Sequence, residues 1–197
     1  KSPLLMYVGD DSGDNISAQN CYYSELTGMY WAWKNSDADY IGICHYRRYL
    51  LTHDGALFDQ RSVQKVLCSY DIITTKNLQL NFPYEEGFVH HHKKIYLDMT
   101  TQVVEELYPE YTNTFQRLVK EKHTYFGNML IAKKETYDAY MEWLFAILFA
   151  VQARVKVEEE DFYHRRIFGF LSECLQYVWI VHNHLKVYEC MVGMLGE

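Results

Sequence analysis

Short apolar or β-branched runs alternate along this chain with stretches of helical periodicity, and that alternation constrains the fold more than any other feature. Tyr22, Tyr23, Leu26, Met29, Tyr30 and Trp33 recur at three- and four-residue steps, the spacing of one helical face. Asn35-Ser36-Asp37 breaks the pattern, and residues 40–44 (YIGIC) read as a short buried strand. A helix is expected over 61–69 and a second, β-branched strand over 71–75 (DIITT). Helical spacing returns over 95–108, is interrupted by Pro109, and resumes over 110–120. Residues 125–132 read as a strand, 135–153 as the longest and most apolar helix, 161–179 as a last helix and 186–192 as a closing strand. Such alternation predicts an α/β sandwich with a mainly parallel sheet between helices. With 197 residues and no repeat or linker-like composition shift, one domain over 1–197 is expected. The chain opens at Lys1-Ser2-Pro3, where a nucleotide-binding α/β fold places its first strand, so that strand is expected to be missing.

Composition narrows the function classes. The 19 Lys and Arg against 26 Asp and Glu give a net charge of −7, which disfavours non-specific grip on a nucleic-acid backbone. The longest apolar run, 143–151, is about half of the ~20 residues a bilayer helix needs, so a membrane partner is expected only at the periphery. No basic segment followed by an apolar core opens the chain. Five scattered cysteines without a CxxC read as small buried hydrophobes in a reducing compartment, hence a cytoplasmic protein. Aromatic residues make up 16 % of the chain, with 18 Tyr, a content that suits a mixed core and a platform for a sugar or a base.

Four clusters carry candidate chemistry. Gly9-Asp10-Asp11-Ser12-Gly13-Asp14-Asn15 is acid-rich, yet Asn15 at the sixth position and Cys21 at the twelfth break the calcium-loop pattern. Two readings stay open there: a turn capping the next helix, or a polar loop in which Asp10, Asp11, Asp14 and Asn15 meet sugar hydroxyls. The strand at 40–44 runs into His45-Tyr46-Arg47-Arg48, and ligands of open α/β sheets bind beyond the carboxyl ends of strands. Arg47 or Arg48 there offers a planar fork to a diphosphate, one of them facing the ligand. His90-His91-His92-Lys93-Lys94 reads as a solvated segment, since metal sites prefer spaced ligands. Acids at 158–161 precede Tyr163-His164-Arg165-Arg166 and Glu173. Helix capping explains the acids, while burial of Asp161 or Glu173 beside a ligand makes a general base.

Five blocks in order, GDDSGDNIS, ELTGMYWAWKN, DADYIGICHYRRY, NMLIAKKETYDAYMEWLFAILF and RRIFGFLSE, resemble one family, domain of unknown function 4422. The resemblance covers nearly the whole chain. It implies a GT-A-like, Rossmann-like fold and a bacterial hexosyltransferase of capsule, exopolysaccharide or O-antigen assembly. The donor implied is a nucleotide sugar, a UDP-sugar such as one carrying galactofuranose or another hexose. The acceptor implied is a glycan or lipid-linked glycan at the inner face of the plasma membrane. Taken with the four clusters, this reading expects Asn128, which opens the fourth block, to join Asp10, Asp11, Asp14, Asn15, His45, Arg47, Arg48, Arg165 and Arg166 as substrate-binding residues, with Asp161 or Glu173 as the catalytic base. GT-A enzymes hold a divalent cation, Mn or Mg, on an Asp-x-Asp after a central strand. His45-Tyr46-Arg47-Arg48 occupies that place here, so no metal ligand is assigned and arginine is expected to neutralise the diphosphate. The last block continues Glu173-Cys174-Leu175 where the family tends to have Glu-Arg-Leu, which leaves a non-catalytic glycan- or nucleotide-binding relative as the alternative.

Overall fold

The computed structural model describes residues 7–194, so the expectation about Lys1-Ser2-Pro3 lies outside the described residues. An acidic loop leads into helices α1 (Asn20–Tyr23) and α2 (Leu26–Asn35), separated by a break at Ser24, whose φ is +50°. Strand β1 (Tyr40–Ile43) and strand β2 (Arg48–Leu51) follow, then α3 (Gln60–Leu67), β3 (Ile72–Thr75), β4 (Leu78–Gln79), α4 (Tyr84–His91) and α5 (Lys94–Leu107). Helix α6 (Thr112–Leu118), β5 (His123–Thr124), β6 (Leu130–Lys133), α7 (Lys134–Gln152), α8 (Ile167–His182) and β7 (Val187–Met194) complete the order. Helix α3 starts on a reciprocal cap: Ser62 N–H donates to the Asp59 carboxylate while Asp59 N–H donates to Ser62 Oγ. Such a cap contributes about 1 kcal/mol.

The five-stranded sheet runs in the order β1-β6-β3-β7-β2, and a separate ribbon pairs β4 with β5. Only β3 and β7 are parallel; β1 with β6, β6 with β3, and β7 with β2 are antiparallel. The expected GT-A-like, mainly parallel sheet is therefore corrected to a mostly antiparallel one. Neighbouring strands are all distant in sequence, so their direction is set by long connections and not by one repeated strand–helix–strand unit. Reciprocal backbone bonds between His45 and Arg48 turn the chain tightly from β1 to β2. Between β3 and its neighbour β6 run the β4–β5 ribbon and helices α4, α5 and α6, and the chain enters β6 through a left-handed turn at Gly127 (φ +94°) and Asn128 (φ +49°). That turn also shortens the strand expected over 125–132, which begins only at Leu130.

Side-chain alternation sorts the sheet into two faces. Ile41, Ile72, Leu130 and Ala132 join the main core with α2, α5, α6, α7 and α8, while Leu50, Ile73, Met129 and Cys190 pack with Val63 and Leu67 of α3. Helix α8 is buried on most sides through Ile167, Phe168, Leu171, Cys174, Leu175, Val178 and Ile180. Phe170 and Glu173 of this helix are only partly buried and, with the buried Gly169, line a cavity from one helical face. Of the five cysteines, only Cys174 and Cys190 are buried, and Cys44 and Cys68 are exposed, which corrects the expectation of buried thiols. Each follows an apolar residue, Ile43 or Leu67, but lies at an element's end, before His45 or Ser69. No helix among the described residues is long and apolar enough to cross a membrane.

Candidate active site

Two cavities meet at this face of α8. The smaller, about 390 Å³, is lined by Ser24 and Glu25 from the α1–α2 break, His45 to Arg48 from the β1–β2 turn, Gly127, and Arg166, Gly169, Phe170 and Glu173 from the start of α8. A larger one, about 990 Å³, is walled chiefly by aromatic and aliphatic side chains. Both touch Arg48, Gly127, Phe170, Glu173 and Met194, so Glu173 stands at their common wall.

The loop 126–128 fixes that wall. Gly127 N–H donates to Glu173 Oε1 at 2.7 Å. Thr75 Oγ donates to the Phe126 carbonyl at 3.2 Å, which holds the same peptide unit from the end of β3. His45 Nε2 donates to the Gly127 carbonyl, so its ring carries the proton on Nε2. Asn128 is buried: its Nδ2 donates to Glu25 Oε1 at 2.7 Å and to the Gly169 carbonyl at 3.0 Å, and its Oδ1 accepts from Ser172 Oγ at 2.7 Å. Asn128 therefore shapes the site by holding Glu25, which lines the cavity, and does not line it itself.

Shielding from water pushes the Glu173 carboxyl up to about 7, with the neighbouring Glu25 adding to the rise; the Gly127 amide and Arg48 pull the other way. None of Arg47, Arg48 and Arg166 is ion-paired with a described residue. Arg166 donates to Ser24 Oγ at 2.7 Å, and the Arg47 guanidinium lies 5.0 Å from the centre of the exposed Tyr46 ring. Three guanidiniums without a salt-bridge partner among the described residues line this small polar cavity beside Glu25 and Glu173, and they suit a bound anion such as a diphosphate.

Other sequence candidates sit elsewhere. Asp161 is exposed and caps the turn His164–Arg166, accepting from the N–H groups of Tyr163 (2.8 Å) and His164 (2.9 Å) and from His164 Nδ1. Those bonds hold its carboxyl below the usual range. Asp10 accepts from Thr27, Asp14 from Tyr30, and Asn15 from Ser17, so the acidic loop packs against α2, while Asp11 is exposed; none of the four lines either cavity. Arg165 donates to the Glu160 carbonyl at 3.2 Å. His90, His91 and His92 close α4 and line the larger cavity, whereas Lys93 and Lys94 pair with Glu160 and Asp98. Cys174 faces the core and lines neither cavity, so the departure from Glu-Arg-Leu does not alter the cavity walls.

Glu25, Gly127, Phe170 and Lys76 are site residues that the sequence reading did not pick out. Lys76 follows directly on β3, where the rule about carboxyl ends of strands would have found it. Glu25 carries no such signal: a helix break puts it there.

The chemistry of the donor set decides whether a divalent cation fits. Glu25 and Glu173 already accept N–H bonds and are flanked by guanidiniums, an arrangement that fits an anion and not a cation cradle. Among the described residues no group of three or more His, Cys, Asp or Glu is placed to hold a metal ion.

A family model described as domain of unknown function (DUF4422) matches residues 1–184. No curated protein matches the chain. Among solved structures, the apo form of the WbbM bifunctional glycosyltransferase is similar at 27 % identity with a TM-score of 0.84. The match covers 96 % of this chain and 39 % of that one, so the chain spans about two fifths of WbbM's length.

Proposed function

The chain belongs to the DUF4422 family, and from that premise we propose that it is a glycosyltransferase moving a sugar from a nucleoside-diphosphate donor to a hydroxyl of a glycan acceptor. The likeness to the WbbM bifunctional glycosyltransferase supports the reaction class. One observation carries the reading: a carboxylate raised to about 7 stands between an arginine-lined cavity and an aromatic one. A transferase needs a base within reach of the incoming hydroxyl, which attacks the anomeric carbon from the side opposite the leaving diphosphate; Glu173, lining both cavities, can meet a hydroxyl that enters from the larger one.

The step is a single displacement. Glu173 Oε2 takes the proton of the acceptor hydroxyl as its oxygen bonds to the anomeric carbon. The bond from that carbon to the β-phosphate oxygen breaks, and its electron pair leaves on the nucleoside diphosphate. Arg47, Arg48 and Arg166 neutralise the departing charge, the electrostatic work for which related enzymes use a cation. His45 and Thr75 act through the 126–128 loop and are positioning residues. Family resemblance supports a UDP-hexose donor, a capsule, exopolysaccharide or O-antigen acceptor, and a site of action on the cytoplasmic side of the membrane.

Thermal unfolding with UDP and UDP-hexoses, with and without EDTA, tests this. A donor at ~100 times its dissociation constant stabilises by ~2.7 kcal/mol, a rise of roughly 5–10 °C for a chain of this size. The expected result is a UDP-specific rise that survives EDTA, together with turnover. A rise that vanishes in EDTA would overturn the arginine assignment, and protection without turnover would leave a nucleotide-binding protein.

A further inference from the structure

We propose that the larger cavity is the acceptor site and that it takes a neutral glycan by stacking sugar rings on Phe82, Phe126, Tyr163 and Phe170; this deepens the transferase reading above and rests on it. Phe82 is 47 % exposed, Phe126 40 % and Tyr163 48 %, and all three line one concave site with the half-buried Phe170. Large rings left open to water inside a cavity mark a binding surface, because an isolated fold gains by burying them. Hexose rings present apolar C–H faces edged by hydroxyls, and an aromatic wall with a few polar groups matches both.

Charge favours a neutral ligand. Arg48 and Glu173 belong to the wall shared with the smaller cavity, which leaves Lys76 as the larger cavity's own Lys, Arg, Asp or Glu. Burial among Phe88, Tyr163 and Phe170, with the neighbouring His164 and His91 adding, lowers His92 to about 4, so it is uncharged at neutral pH. Volume favours more than one residue, since about 990 Å³ is at the top of the ~300–1,000 Å³ usual for ligand sites.

Direction decides between an acceptor and the donor's nucleobase, the other planar group that would stack on these rings. The diphosphate lies between nucleoside and sugar. With the diphosphate on Arg47, Arg48 and Arg166 and the sugar's anomeric carbon facing Glu173, the nucleoside leads away from the shared wall. The acceptor hydroxyl must reach both the anomeric carbon and Glu173, and the larger cavity opens on that carboxylate.

Saturation-transfer NMR with lactose, maltose and cellobiose as probes, beside UDP melting shifts, separates these occupants. The proteins compared are the wild type, Phe82→Ala, Tyr163→Ala and the conservative Phe82→Tyr. Both truncated rings are about half exposed, so folding should survive, with circular dichroism as the check. The expected result is saturation of ring C–H protons of at least one disaccharide, weakened about five-fold in each alanine variant and restored in Phe82→Tyr. The UDP shift should stay unchanged in all three variants. Loss of the UDP shift in the alanine variants would place the nucleobase on these rings and overturn the proposal. Disaccharide binding that ignores both variants, or no binding of any probe at 50-fold excess over protein and ~20 mM, would overturn it as well. Absence of a UDP shift in the wild type would instead sink the transferase reading itself, and the disaccharide signals would show whether a glycan site remains.

Discussion

Asp161 and Glu173 are both acids of the same stretch, twelve positions apart, and they end up in opposite electrostatic states. Asp161 is exposed, takes two backbone N–H bonds and a histidine, and is held strongly ionised. Glu173 takes one backbone N–H, sits on an apolar helix against a second carboxylate, and is pushed up to about 7. An acid clustered with other acids is a solvated cap. An acid standing alone on an apolar helix face, as in Phe168-Gly169-Phe170-Leu171-Ser172-Glu173, is the one whose surroundings favour proton transfer near neutral pH.

Glu173→Gln sharpens the contrast most: turnover should fall by ~10²–10⁴-fold, while Asp161→Asn should stay within a few-fold of wild type. Equal losses in both variants would break the comparison. Next in size, Arg48→Ala should weaken UDP binding by about ten- to a hundred-fold in calorimetry, the usual worth of a charged hydrogen bond. The pH profile follows from the same carboxyl. Because Glu173 must be ionised to accept a proton, kcat/KM should rise about tenfold per pH unit below ~7 and level above it. A profile flat from pH 5.5 to 8 would remove Glu173 from the role.

Stability should move in the opposite sense. Folded Glu173 keeps its proton up to about 7, whereas the unfolded chain loses it near the ordinary 4.5, so its burial costs more stability as pH rises through that window. Glu173→Gln should therefore be more stable than wild type at pH 8, by up to ~3 kcal/mol, with no difference at pH 4. Smallest is Asp161→Ala, which loses two bonds from backbone N–H groups at an exposed turn and should lower the melting temperature only slightly, less than the change between wild type and Glu173→Gln at pH 8.

Much of the element pattern was legible because periodicity reports burial: β3 and α7 appear within a residue or two of where their spacing put them. Strand direction was not. Alternation says that a segment is a strand, but Ile131 reads the same whether β6 runs up or down. Strand β2 escaped notice because Arg48–Leu51 is four residues whose partner is the far C-terminal strand, a relation no local window contains. At the site, His45, Arg47, Arg48, Arg166 and Glu173 do converge. The acidic loop at 9–15 stays away from the cavities because Asp10 and Asp14 accept from Thr27 and Tyr30 of α2, while Asn15 accepts from the nearby Ser17. Glu25 could not be read from spacing, since the break at Ser24 that aims it depends on a backbone conformation and not on residue type.

Strand β7 pairs in parallel with β3 through Val187–Cys190 and antiparallel with β2 through Met191–Met194. Among the described strands β7 is the only one that ties β2 to the sheet. The arginine turn that precedes β2 is thus made early by the ribosome and anchored late, when residues synthesised well over a hundred positions afterwards dock beside it. The edge strand that carries the arginine turn therefore depends on a pairing between residues far apart in sequence, and a change that weakens β7 would loosen the anion cavity without touching it.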